Sequence, residues 1–198
     1  MKLYLNATSP FARVARIIAL EKGLQDQLEL GWSDPWTNDP ALLQANPVGR
    51  IPVLVTEDGH AIAESLLIAQ YLDNLTPSPR LLPPAELAAV LQRTGLGYGL
   101  MEAAFTTVIG RKHDAEADQS VLGQRRLQAI DRSIQALASQ HRDDGQQTLD
   151  LSIIVTAVAL DYVLFRLPEI DWRSRYPELA AWHQRVTVRA NFTETAFN

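Results

Sequence analysis

The 198-residue sequence contains no cysteine. That excludes disulfides, thiolate metal sites and a protein-borne cysteine nucleophile together, and it fits a reducing compartment. Histidine is scarce: His60, His113, His141 and His183 show no i,i+4 pair and no ligand cluster, so no metal site is expected. Basic charge is also short, with 18 Lys and Arg against 23 Asp and Glu and a net charge of −5. A phosphate backbone needs a basic face, so nucleic acid is not an expected partner. Nor is there a long apolar run. LSIIVTAVAL (151–160) stops at Asp161, short of the roughly 18–20 residues a membrane-spanning helix requires. The first residues lack the apolar stretch and small-residue cleavage site of a signal peptide. The expected location is therefore the cytoplasm, and the Asn-x-Thr triplets at Asn6, Asn74 and Asn191 read as chance matches.

What is present is a core. Hydrophobic residues make up 46% of the chain, too many for a disordered one. The first third alternates strands and helices: strand 2–5, helix 11–20, strand 28–32, helix 39–44, strands 51–56 and 60–62, and helix 65–74. Ser9-Pro10 suits a helix start, Lys22-Gly23 a helix end, and Asp58-Gly59 a hairpin. The order β-α-β-α-β-β-α predicts a small mixed sheet with helices packed on it. TPSPRLLPP (76–84) then places four prolines in nine residues, which excludes helix interior and central strand. Beyond it the strand signals stop. Stretches 85–112, 115–141, 151–166 and 177–188 carry helical periodicity, with breaks at Asp143-Asp144-Gly145 and Pro168. The expected division is 1–76, a linker at 77–84, and an all-helical domain at 85–198.

Three motifs fall at junctions of the first domain: SPFA (9–12), NPVGRIPVL (46–54) and AESLLIAQYL (63–72). In this order and spacing, ahead of a helical domain, they resemble the cytosolic glutathione transferase family, in particular bacterial members with serine at the first motif. The resemblance covers essentially the whole chain and includes YPELAAWHQRV (176–186), which resembles a late helix of the family's second domain. It implies a thioredoxin-like first domain, glutathione as cosubstrate, no metal, and a homodimer active in detoxification. The implied reaction is attack of glutathione thiolate on a small hydrophobic electrophile. Peroxide reduction, dehalogenation, isomerisation and a non-catalytic interaction role remain open beside it.

By the same resemblance, Ile51-Pro52 is a cis pair that turns the backbone of Ile51 toward the cleft, where a peptide-like ligand pairs as an added strand would. Ser65 receives the γ-glutamyl carboxylate at a helix N-terminus, and Glu64 attracts the ammonium group. Ser9 stands where related dithiol reductases carry their first cysteine and Ala12 where they carry the second. With neither thiol present, the nucleophile must arrive with the cosubstrate, and Ser9 would stabilise its thiolate, with Phe11 walling the cleft. On their own residues these positions also read as an ordinary trans proline and two plain helix caps. Tyr4 is a rival sulfur ligand, since other classes use an N-terminal tyrosine. Arg50 meets the glycyl carboxylate or is a plain surface arginine.

The second domain departs from the family in one place. Its buried helix usually starts with Ser/Thr followed three residues later by Asp. Here Asp150 caps and Ile153 occupies the partner position. Tyr98, Met101, Phe105 and Ile109 form an apolar stripe that reads as electrophile pocket, core or dimer interface. Gly95, Gly97 and Gly99 permit either close packing or a bend.

Overall fold

A computed structural model describes residues 1–140 and 148–197. The chain divides into two compact units: Met1–Pro83 joined by the residues from Ala190 onward, and Pro84–Arg189.

The first unit is built on a four-stranded sheet. β1 (Lys2–Leu5) pairs in parallel with β2 (Glu29–Trp32) and antiparallel with β3 (Val53–Val55). β3 in turn pairs antiparallel with β4 (Ala61–Ala63), giving the order β2-β1-β3-β4. α1 (Pro10–Glu21), α2 (Pro40–Ala45) and α3 (Ser65–Leu75) complete the βαβαββα order. This is a thioredoxin-like arrangement, as expected. α1 buries Ala12, Val14, Ala15, Ile17 and Ile18 and ends before Gly23, which has φ +66°. It packs on α3, and β1 contributes the buried Leu3 and Leu5. The hairpin turns through Gly59 at φ +85°, with Thr56 N donating to the His60 carbonyl and His60 N donating to Thr56 Oγ1. The proline-rich stretch is pinned rather than loose: the Asp73 carboxylate accepts from the amides of Leu81 and Leu82 at 2.9 and 3.1 Å.

The second unit is helical: α4 (Leu87–His113), α5 (Val121–Gln140), α6 (Leu151–Arg166), α7 (Trp172–Arg175) and α8 (Pro177–Thr187). α6 is buried at every position from Leu151 to Leu160, which is why that stretch is apolar on all sides. Gly97 lets α4 lie against it, since a Cβ there would sit 3.0 Å from Val155 Cγ1 and 3.1 Å from Thr156 Oγ1. The unpartnered cap of α6 is completed from another helix. Asp150 accepts from Ile153 N at 3.1 Å and Ser152 Oγ at 2.5 Å, and Arg93 of α4 reaches its other oxygen at 3.3 Å.

α5 starts later than expected, at Val121 rather than 115. A short 3-10 turn, Ala117–Gln119, folds onto its first turn, and the Ser120 hydroxyl accepts from Gly123 N at 3.0 Å. No side chain fits at Gly123, where a Cβ would come within 2.0 Å of the Ala117 carbonyl. The expected helix end at His141 and the break at 143–145 lie outside the described residues. Two short helices escape the periodicity reading: α7, and α9 (Ala190–Glu194), which packs on α1 in the first unit.

Candidate active site

Strand register gathers the three motifs. Tyr4 pairs with Val53, so the exit of β1 and the entry of antiparallel β3 share one end of the sheet. Val53 also pairs with Ala63, which brings the exit of β4 to the same end. The segments leaving there are Asn6–Ser9, Arg50–Pro52 and Glu64-Ser65. Residues from three distant stretches of sequence are thus neighbours because of pairing alone.

Ser9 is half-buried and caps α1, its Oγ accepting from Ala12 N at 3.2 Å. Capping uses a lone pair and leaves the hydroxyl proton available for donation. Cap and sulfur ligand are therefore compatible roles for one side chain. The turn is held from below by Asn6, whose Oδ1 accepts from Thr8 N at 3.1 Å and Ser9 N at 2.7 Å. Asn6 was not among the sequence candidates, although an asparagine just before a helix cap is a turn signal. Phe11 is half-buried beside Ser9 in the first turn of α1.

The Ile51-Pro52 peptide is cis, as the resemblance implies, and Pro52 is buried. Arg50 is exposed, and its carbonyl accepts from Asn46 Nδ2 at 3.0 Å. Asn46 is buried and also takes the Val48 amide at 3.2 Å, so it shapes the loop that enters the cis pair. It is a second supporting residue missed in the sequence.

Glu64 has φ +71° and ψ 121° and makes no capping hydrogen bond with its exposed side chain. A non-glycine residue at positive φ costs of order 1–3 kcal/mol, so the surrounding fold enforces this turn. It presents a carboxylate to solvent beside the buried Ser65, the first residue of α3. α1 and α3 thus open at the same end of the sheet, and helix N-termini carry unsatisfied N–H groups and partial positive charge. Two such ends suit an anionic ligand, and the backbone beside Pro52 suits an extended one.

Tyr4 lies mid-strand and half-buried, against Gly31 and with the Lys2 ammonium 5.4 Å from its ring centroid. Tyr98, Met101 and Phe105 lie on α4 in the second unit. Met101 is fully buried, and the two aromatic residues are half-buried. Among the described residues, no group of three or more His, Cys, Asp or Glu side chains is placed to hold a metal ion. No helix among them is long and apolar enough to cross a membrane.

Comparison with known proteins agrees with this geometry. Residues 8–75 match the family model for the N-terminal domain of glutathione S-transferases. The chain is 32% identical to the uncharacterized GST-like protein YibF of Escherichia coli, with 98% of each chain covered. It superimposes with TM-score 0.90 on a glutathione transferase family member from Pseudomonas fluorescens crystallised with bound glutathione, at 27% identity and covering 100% and 98% of the two chains. A glutathione S-transferase from Methylobacterium radiotolerans in complex with glutathione sulfonate gives TM-score 0.89 at 31% identity, covering 98% and 93%. The chain belongs to the glutathione transferase family.

Proposed function

We propose that the protein binds glutathione at this end of the sheet and transfers it, as the thiolate, to a small hydrophobic electrophile. The observation that carries the reading is the convergence of Ser9, Pro52 and Ser65 by strand register, with the Ser9 hydroxyl proton still available for donation. Bound glutathione in the similar Pseudomonas protein, and bound glutathione sulfonate in the similar Methylobacterium protein, support it. In this reading Ser65 and the start of α3 hold the γ-glutamyl carboxylate, while Glu64 faces the ammonium. The backbone of Ile51, set by Pro52, pairs with the cysteinyl part, and Arg50 meets the glycyl carboxylate. Phe11 walls the site.

A free thiol has a pKa near 8.5, so only a few per cent is ionised at neutral pH. Donation from Ser9 at the positive end of α1 favours the thiolate, and the released proton passes to solvent. The sulfur lone pair then forms a bond to the electrophilic carbon. In substitution the leaving group departs with its electron pair; in addition the new carbanion takes a proton from water. Tyr4 is not the preferred sulfur ligand, because it sits mid-strand beside Gly31 rather than in the turn. The electrophile is assigned to Tyr98 and Phe105 of α4; Met101, expected beside them, is fully buried in the core of the helical unit and is not part of the site. The protein acts in the cytoplasm as a homodimer, in detoxification.

The test is calorimetric titration with glutathione followed by two variants. Ser65→Ala weakens binding by about 1–3 kcal/mol, the loss for a hydrogen bond to a charged group. Ser9→Ala leaves affinity at low pH nearly unchanged and raises the apparent pKa of bound thiol, lowering the rate about ten-fold for each 1.4 kcal/mol removed. No binding of glutathione by the folded protein overturns the reading. An unchanged pH–rate profile in Ser9→Ala reduces Ser9 to a helix cap.

A further inference from the structure

From the packing of the 190–197 segment we infer that Arg13 is a positioning residue for the Ser9 turn, acting through a strap formed by that segment. The inference rests on the reading of Ser9 as the sulfur ligand. It starts from an oddity of chain order: residues from Ala190 onward belong to the unit formed by residues 1–83, although the preceding helix α8 belongs to the other. What holds them is α1. Phe192 is fully buried. The Arg13 side chain, only 5% exposed, donates from Nη2 to the Phe192 carbonyl at 3.1 Å and from Nε to Thr195 Oγ1 at 3.4 Å. Its guanidinium also lies 4.5 Å from the centroid of the Phe197 ring. One turn further along α1, Arg16 pairs with Glu194 at 3.1 Å.

The same residue touches the catalytic turn through its main chain. Arg13 N donates to the Ser9 carbonyl at 3.0 Å, which is the first backbone bond of α1. The tie therefore runs from the strap to the Arg13 guanidinium, along that residue to its amide, and on to Ser9. Asn6 is a further tie on Ser9, and Arg13 and Asn6 both line one cavity of about 80 Å³ that also touches Glu194 and Thr195. Hydrogen bonds from Asn6 and Arg13 thus hold the Ser9 backbone at both its N–H and its carbonyl. A buried arginine has no low-energy alternative to its acceptors, since leaving a desolvated guanidinium unpaired is costly. That makes the strap a firm anchor. The ion pair of Arg16 with Glu194 is partly exposed and supplies little by comparison.

Two measurements test this. The first needs no ligand: amide hydrogen exchange in the full chain carrying Thr195→Val with Glu194→Gln, which leaves Arg13 in place. Exchange of the amides of Ser9 and of residues 11–13 rises about ten-fold while those of Val53–Val55 do not change, the mark of local rather than global opening. Unchanged exchange, or a uniform rise over the whole unit, overturns the strap. The second is the pH–rate profile of Arg13→Gln beside that of Ser9→Ala, each normalised to folded protein. Positioning predicts an upward shift of the apparent thiol pKa and a fall in kcat of about ten-fold, with KM for glutathione nearly unchanged. A purely stabilising arginine lowers the melting temperature and leaves the profile in place, which overturns the assignment while leaving Ser9 standing. If Ser9→Ala itself has no effect, the serine reading fails and the positioning role fails with it, whatever exchange shows for the strap. If Arg13→Gln does not fold, the profile of the Thr195→Val, Glu194→Gln chain decides by the same criterion.

Discussion

Gly95, Gly97 and Gly99 stand two residues apart on α4, yet only the middle one would bring a Cβ close to other atoms. Gly97 faces α6 with Val155 and Thr156 inside 3.4 Å of that point, whereas Gly95 and Gly99 are exposed with nothing within 4 Å. Close packing, not a bend, accounts for the central position. The expected outcomes have opposite signs. Gly97→Ala forces α4 from α6 and destabilises by about 1–3 kcal/mol, the usual range for overpacking. Gly95→Ala or Gly99→Ala removes backbone freedom from the unfolded chain and stabilises by about 0.5–1 kcal/mol. Urea unfolding of the three variants checks this, and a stabilising Gly97→Ala would contradict the packing argument. The sequence announces three helix-weakening residues but not which one faces a partner, because that depends on where α6 lies. Asn6 and Asn46 were hidden for a similar reason. Each acts on backbone amides of its own loop, and its importance appears only when that loop borders the site.

At the level of elements, the join between α1, α3 and the proline-rich stretch rests on a buried ion pair. Lys22 Nζ, with no exposed side chain, donates to Asp73 Oδ1 at 3.1 Å, Thr76 O at 2.8 Å and Pro79 O at 2.6 Å, with Asp73 O also at 3.1 Å. Asp73 in turn holds the amides of Leu81 and Leu82. Breaking a buried pair leaves one charge without its counter-ion, and such losses are about 3–5 kcal/mol. Lys22→Met is expected to destabilise by that amount, and a double-mutant cycle with Asp73→Asn should return a coupling well above that of an exposed pair. A cost under about 1 kcal/mol would place the pair with ordinary surface bridges. Lys22 illustrates the limit of local reading: next to Gly23 it passes for a helix-ending lysine, and its burial is set by residues some fifty positions away. The hairpin was legible because Asp58-Gly59 fixes it locally, and α6 because burial on all sides leaves an apolar run. α7 and α9 were not, being too short for a 3.6-residue period to register.

For the molecule as a whole, two units were legible from the loss of strand signals after the prolines, while the return of residues 190–197 to the first unit was not. Nothing in that segment's pattern names its partner, since Arg13 reads as one more surface arginine in the sequence. Association is the remaining whole-molecule question. α3 exposes Leu66 and Leu67, at 37% and 54%, and α4 exposes Leu87 and Leu91 one turn apart, at 40% and 48%. Scattered exposed leucines need no explanation, but adjacent pairs on two helices leave apolar surface in water in each unit. The proposed homodimer would cover these faces, and burying a leucine side chain contributes about 1.5–3 kcal/mol. Placing a carboxylate at such a contact instead desolvates an unpaired charge. Leu67→Glu and Leu91→Glu are therefore expected to yield folded monomers, while Val121→Glu, at the 88%-exposed start of α5, leaves assembly unchanged. Sedimentation equilibrium across a range of protein concentrations, with circular dichroism to verify folding, makes the measurement. A wild-type chain that stays monomeric throughout, or leucine variants that remain dimeric, would assign those faces to plain solvent contact.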